Sequence, residues 1–300
     1  MEFKEVIKGN VKKKYKNFLL EVEDFSIPKG FTTALIGENG AGKSTLINIL
    51  SGIRQDYKGE LHYFDEGLDI EDKGVKEKIG YTGTRYYFLP SWTGTQIKEL
   101  SEILFDGFDP KKYDEIVAAL NIDKDIFGKK AKSVSKLSDG NLTKLMLAAV
   151  FSRKTELLLL DEPASPLDPL MRSTLSDMIR AYISEGDGER TVFFSTHNVA
   201  DMESVTDYAM IMEKGKIVEK GFVEELKEKY QLVKGEAVDY EAVKKYLYSG
   251  DCSQYGFEGI ILSSDISKVN CENLYFEQPT LSQIVVAVMK KYSDLKTPIV

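Results

Sequence analysis

The sequence is short of the residues that mark secreted, metal-binding or membrane-spanning chains. Only two cysteines occur, Cys252 and Cys271, with no ligand-like neighbours. Neither a disulfide framework nor a thiolate metal site is therefore expected, and free thiols in a reducing compartment fit. Histidine is equally scarce, with only His62 and His197 present. His62 has no Cys, His or Asp cluster at ligand spacing around it and reads as structural. No apolar run approaches the roughly 18 residues that suggest a bilayer span. The opening Met1-Glu2-Phe3-Lys4-Glu5 lacks the apolar core of a signal peptide. Basic charge is in deficit: 40 Lys and Arg stand against 48 Asp and Glu, a formal net charge of −8. That balance argues against direct nucleic-acid binding, which favours a basic face. The chain has no internal repeat and no low-complexity segment. These absences lead us to expect a cytoplasmic protein without direct membrane insertion.

What is present is organised around Gly37-Glu38-Asn39-Gly40-Ala41-Gly42-Lys43-Ser44-Thr45. The apolar run Thr33-Ala34-Leu35-Ile36 precedes it and Leu46-Ile47-Asn48-Ile49-Leu50 follows. Strand, glycine turn and helix are thus in the order that a phosphate-binding loop requires. Glycines permit the turns that aim successive N–H groups inward, and the helix N-terminus adds positive potential. Lys43 can reach the β- and γ-phosphates of a nucleoside triphosphate, while the hydroxyl of Ser44 can hold Mg²⁺.

A second signal is Leu157-Leu158-Leu159-Leu160-Asp161-Glu162-Pro163. Four apolar residues in succession mark a strand buried on both faces, as in a parallel sheet. Its carboxyl end is where open α/β sheets place ligands. Asp161 can reach the metal held by Ser44, and Glu162 can position or deprotonate a water attacking the γ-phosphate. Thr191-Val192-Phe193-Phe194-Ser195-Thr196 reads as another core strand, with His197 at its tip placed to contact the same phosphate.

Between these strands, residues from about 93 to 153 carry helical periodicity. The third helix of this stretch is expected from about Leu142, after the polar turn Lys136 to Asn141. Residues 2–31 read as short strands that include Lys12-Lys13-Lys14-Tyr15-Lys16, whose lysines suit a solvated face. Tyr15 could instead stack on a base through its ring. The last seventy or so residues read as a small α+β unit, with charged helices at Glu224–Lys234 and Tyr240–Tyr248 and a final helix from Leu281.

Taken together, residues 3 to about 230 resemble the ATP-binding subunits of ABC transporters. The Walker A loop is Gly37–Thr45, the Walker B strand Leu157–Asp161, the D-loop Ser165-Pro166-Leu167-Asp168 and the switch histidine His197. Leu137-Ser138-Asp139-Gly140-Asn141 matches the signature, usually Leu-Ser-Gly-Gly-Gln. The resemblance implies a P-loop NTPase core with an N-terminal antiparallel β subdomain and an inserted α-helical subdomain. This ATP-binding domain would fill residues 1–230, and an accessory α+β domain residues 231–300. It implies ATP and Mg²⁺ as ligands, with Tyr15 stacking on adenine, Glu162 as general base and His197 stabilising the γ-phosphate. It further implies a second nucleotide-binding subunit facing this one head to tail. Ser138 and Gly140 would then touch the γ-phosphate on the partner's Walker A, and Asp168 would link the two sites. The implied function is to power a separately encoded integral-membrane permease from the inner face of the cell membrane. The small C-terminal unit resembles the extensions of bacterial exporters of the ABC-2 and YtrB-like kind.

Three positions depart from the family pattern: Thr84, and Asp139 and Asn141 of the signature, where Gly and Gln are usual. Thr84 stands where a metal-contacting glutamine is usual, and a threonine side chain is too short to span that distance. Asp139 adds negative charge to the signature, which implies slower turnover. A soluble ATPase acting on ribosomes or DNA, and an ATP-binding regulatory protein with weak hydrolysis, are the alternative readings.

Overall fold

The structure is a computed structural model and describes residues 3–64, 67–72, 74–83, 88–269, 271 and 273–292. Thr84 lies outside the described residues. Among those described, the strands form three sheets. The central one has six strands in the order β5-β6-β7-β3-β8-β9. These are β3 (Thr32–Ile36), β5 (Ile79–Thr82), β6 (Leu157–Leu160), β7 (Thr191–Thr196), β8 (Tyr208–Glu213) and β9 (Lys216–Phe222). All pairings are parallel except that of β8 with β9.

The apolar runs explain this arrangement. A strand sends successive side chains to opposite faces, so an unbroken run must be covered on both sides. In β6, Leu158 and Leu160 enter one core while Leu157 and Leu159 enter the other. Val192 and Phe194 of β7 likewise oppose Phe193, and Ala34 and Ile36 of β3 oppose Leu35. Each buried leucine contributes about 1.5–3 kcal/mol relative to exposure. A single polar replacement in β6 would therefore weaken one of two packed layers.

An antiparallel sheet of β1 (Glu5–Lys14), β2 (Leu19–Pro28) and β4 (Leu61–Tyr63) covers one side. The expected short strands of residues 2–31 are thus two long ones. The helical insertion contains α2 (Gly94–Leu104), α3 (Pro110–Ala119) and α4 (Asp139–Phe151). Thr93 and Gln96 form a reciprocal capping box at the start of α2. Asp109 caps α3, which carries proline in its first turn. The helix expected from Leu142 begins at Asp139, because Ser138 caps it by accepting the Asn141 N–H at 3.3 Å.

The C-terminal region departs further from expectation. The charged helix ends at Lys229 as α6 (Val223–Lys229), and residues to Gly235 form β10 (Tyr230–Gly235). The second expected helix is only α7 (Tyr240–Val243) and a 3-10 turn, followed by β11 (Leu247–Ser253). Strand pairing accounts for both changes. β12 (Gly256–Leu262) lies between β11 and β10, and β13 (Tyr275–Glu277) pairs with the other edge of β10. Tyr230 and Leu232 enter the large core while Val233 enters a separate small one, an alternation that helical geometry would scramble. The last helix, α8 (Leu281–Tyr292), buries Leu281, Ile284 and Val288 in the core shared with β8 and α6.

Candidate nucleotide-binding site

The phosphate loop leaves the carboxyl end of β3, the middle of the sheet, and opens onto α1 (Lys43–Leu50). Two glycines are required there for separate reasons. Gly42 has φ 112°, in the left-handed region, at the N-cap of α1. Gly37 lies so close to β8 that a Cβ would fall 2.4 Å from the Met212 carbonyl oxygen. Ala41 is buried, and its carbonyl accepts the Gly215 N–H at 2.9 Å, which fastens the loop to the turn after β8. Its own N–H donates to the Glu38 carbonyl at 3.1 Å.

Lys43 is only 5% exposed and folds back over the loop. Its Nζ donates to the Gly37 carbonyl at 2.7 Å and the Glu38 carbonyl at 3.2 Å, and pairs with Glu162 Oε1 at 3.2 Å. Asn39, Gly40, Lys43, Ser44 and Thr45 line a cavity of about 400 Å³ together with Tyr15 and Phe18. Such a volume lies in the ordinary range for small-molecule sites. The Tyr15 ring carries cations near it, with Lys13 Nζ 5.4 Å and the Arg54 guanidinium carbon 5.7 Å from its centroid. Phe18 has its ring against the loop, where a Cβ on Gly42 would meet it at 2.9 Å. The sequence reading missed Phe18, which sits at the entry to β2 and looks like ordinary strand core.

The carboxylates stand at the end of the neighbouring strand but one. Register pairs Leu160 with Phe194, so Asp161 and Ser195 follow side by side. Ser195 Oγ donates to Asp161 Oδ1 at 2.6 Å and accepts the Glu162 N–H at 2.9 Å. Desolvation raises the Asp161 carboxyl above the usual carboxylate range, opposed by hydrogen bonds from Ser195 and Ser44. Its Oδ2 is buried with no protein hydrogen-bond partner. A hydroxyl and an unsatisfied carboxylate oxygen are hard oxygen donors, which is the donor chemistry Mg²⁺ takes.

Glu162 has φ 52°, a backbone setting uncommon outside glycine. The turn aims its carboxylate back toward the loop. Oε1 faces Lys43, and Oε2 lies 2.8 Å from His197 Nδ1. One carboxylate thus sits between the loop lysine and the histidine at the tip of β7. A second cavity, of about 280 Å³, lies on the far side of Glu162 and is lined by Asn39, Asp139, Asp161 and His197.

Tyr15, the loop residues, Asp161, Glu162 and His197 are therefore brought together within one chain. Ser138, Gly140 and Asp168 do not line the cavity around the phosphate loop. Ser138 caps α4, and a Cβ on Gly140 would lie 2.8 Å from the Pro166 carbonyl oxygen. Asp168 caps α5 (Pro169–Ser184) through the Met171 N–H at 3.0 Å. Asp139, expected opposite a partner's phosphates, borders the second cavity beside Glu162 of its own chain.

Known proteins share both sequence and fold with this chain. The ABC transporter family profile matches residues 20–165. The tungstate uptake system ATP-binding protein TupC of Peptoclostridium acidaminophilum is 30% identical over 212 residues, covering 70% of this chain and 95% of TupC. An ABC transporter ATP-binding protein of Nostoc sp. is 29% identical, covering 74% of this chain. The present chain spans 66% of the length of that relative and 62% of one from Synechocystis sp.. Among solved structures, an ATP-binding subunit of an ABC transporter superposes with a TM-score of 0.62 at 21% identity, covering 74% of this chain and 92% of that one. The dimeric ATP-binding cassette MJ0796, bound to ADP and Pi, superposes at 0.59 and 18% identity over 72% and 98%. The P-loop cassette fold is common to all of these, and the match along nearly the whole of TupC establishes that the chain belongs to the ABC transporter ATP-binding proteins.

Proposed function

We propose that the protein is the ATP-hydrolysing subunit of a membrane transporter, working as a sandwich dimer with ATP at the interface. The observation that carries this reading is Glu162 held between Lys43 and His197 at 3.2 and 2.8 Å. In this reading adenine stacks on Tyr15, and the loop N–H groups and Lys43 hold the phosphates. Ser44 and Asp161 hold Mg²⁺, which when bound neutralises phosphate charge. Glu162 takes a proton from the attacking water while the bond between the γ-phosphorus and the bridging oxygen breaks, releasing ADP and phosphate. His197 fixes the second carboxylate oxygen and the γ-phosphate. Residues 1–230 form the ATP-binding unit and 231–300 an accessory one.

Ser138, Gly140 and Asp168, away from their own phosphate loop, are assigned to the nucleotide of the second subunit. The permease would dock at an apolar cleft of about 430 Å³ beside α2, where Tyr81, Trp92, Leu100 and Phe105 line the wall. Ile53 and Leu104, at the rim of that cleft, are exposed. No helix among the described residues is long and apolar enough to cross a membrane. The related proteins TupC and EcfA2 are named for tungstate uptake and energy-coupling factor transport. Those names favour transport over a ribosome- or DNA-associated role.

Glu162→Gln tests the reading. It keeps the shape and removes the base, so ATP binding persists, hydrolysis falls by about 10²–10⁴-fold, and Mg-ATP drives the variant into dimers on gel filtration. A variant that hydrolyses at the wild-type rate, or stays monomeric with Mg-ATP, refutes it.

A further inference from the structure

The segment that follows His197 is tied on its outer side to α8. Its backbone forms two 3-10 turns, Val199–Asp201 and Glu203–Val205, a tight geometry with poor internal hydrogen bonds. The Glu203 carboxylate accepts the Leu281 N–H at 2.9 Å and the Ser282 hydroxyl at 3.2 Å. These are the first two residues of α8, where a negative charge also complements the helix dipole. Below this contact, Leu281, Ile284 and Val288 share a core with Val199, Met202 and Val205.

Asp201 faces the other way. It pairs with Arg172 at 2.6 Å and accepts from Asn198 Nδ2 at 3.0 Å. Arg172 also donates through Nε to the Leu167 carbonyl at 2.8 Å, one residue before Asp168. Contacts therefore run from α8 to Glu203, and from Asp201, two residues earlier in the same segment, to Arg172. Together they hold the loop carrying Asp168 and the loop carrying His197 at once. At its far end α8 is fixed to β11, with Lys290 2.7 Å from Asp251 and Lys291 3.8 Å from the Tyr248 ring centroid. His197, whose side chain is 43% exposed, is bonded to Glu162 but has little packing to hold it in place.

We infer that α8 braces the His197 loop through Glu203, which makes Glu203 and Arg172 positioning residues for the Glu162–His197 pair. The accessory unit then sets the geometry of hydrolysis without touching nucleotide. The kinetic part of this inference rests on the ATPase reading above; the mechanical part does not.

The test uses the full chain carrying Glu203→Ala, Glu203→Gln or Arg172→Ala. Each is measured by hydrogen exchange with mass spectrometry and by steady-state ATP hydrolysis. Glu203→Ala should accelerate exchange by about tenfold in residues 281–285 and in residues 198–205 together. It should lower kcat about tenfold while KM for Mg-ATP stays within about twofold, since misplacing a catalytic group costs rate more than binding. Glu203→Gln keeps a carbonyl for the Leu281 N–H and should restore most of both effects. Faster exchange confined to 281–285 overturns the inference, as does an unchanged kcat in a protein loosened at both segments. Should Glu203→Ala fail to fold, Arg172→Ala carries the test, with kcat lowered and exchange faster at 198–205 but not at 281–285. A wild-type chain with no ATPase activity refutes the functional reading alone, and the exchange pattern still decides whether helix and loop move as one.

Discussion

Ser195→Ala is a small change with a large expected effect. It removes one oxygen from a fully buried side chain, leaving a space too small to collapse the sheet around. Two hydrogen bonds go with it, the 2.6 Å bond to Asp161 Oδ1 and the 2.9 Å bond from the Glu162 N–H. The first is to a carboxylate and is worth about 1.5–3 kcal/mol when that group is charged; the second leaves a partly buried N–H unpaired, at about 1–3 kcal/mol. Because Asp161 already suffers from desolvation, some of the first term is recovered when the carboxyl takes up a proton. A net loss of about 2–4 kcal/mol is the resulting expectation. Thermal unfolding should then begin several degrees lower, at about 2–4 °C per kcal/mol for a domain of this order. Freed of its anchor, the Glu162 peptide can also leave φ 52°, and kcat should fall by about 10–100-fold. Differential scanning fluorimetry and a phosphate-release assay measure the two effects. A variant melting within about 1 °C of wild type, with kcat intact, would show that the hydroxyl does not hold the carboxylates in place.

The other expectations are independent of this one. Tyr15→Ala should raise KM for ATP by the equivalent of about 1–3 kcal/mol while leaving kcat little changed, and Tyr15→Phe should behave as wild type; equal losses in both variants would assign the hydroxyl, not the ring. Ile284→Ala, in the shared core, should cost about 2–5 kcal/mol and lower the melting of the whole protein in one calorimetric transition; two separated transitions would refute that coupling. Burial pushes the Tyr81 hydroxyl up to about 12, above the unfolded value. Its contribution to stability is therefore complete below about pH 10 and is lost as pH rises toward 12, because the unfolded chain ionises first. Alkaline denaturation followed by circular dichroism should show Tyr81→Phe losing less stability across that window than wild type.

How much of this was legible in the sequence follows from how local each feature is. The loop Gly37–Thr45 and the leucine strand before Asp161 carry their own flanking signals, and both stand where their neighbours imply. Ser195 lies in plain view two residues before His197, yet its partnership with Asp161 depends on the register of β6 against β7, which no local pattern encodes. The helix expected over Glu224–Lys234 runs on into β10, and that over Tyr240–Tyr248 reaches only the first two residues of β11, because the charged runs Glu224–Lys229 and Glu241–Lys245 suit a helix. The strand character of β10 and β11 comes from pairing with β12, brought together by tertiary contacts that override local preference. The start of α4 was missed by one turn since Ser138, as a cap, outranks the apolar periodicity that begins at Leu142.

The ion pair between Lys43 and Glu162 has a consequence for the order of events. While it persists, the Lys43 ammonium occupies Oε1 of Glu162 at 3.2 Å and His197 holds Oε2 at 2.8 Å. An arriving γ-phosphate competes for the same ammonium group and draws it off. In the proposed reaction the Glu162 carboxylate is thereby freed by the phosphate it acts on, and a nucleotide lacking that phosphate offers weaker competition. A single side chain, Lys43, thus stands between two anions.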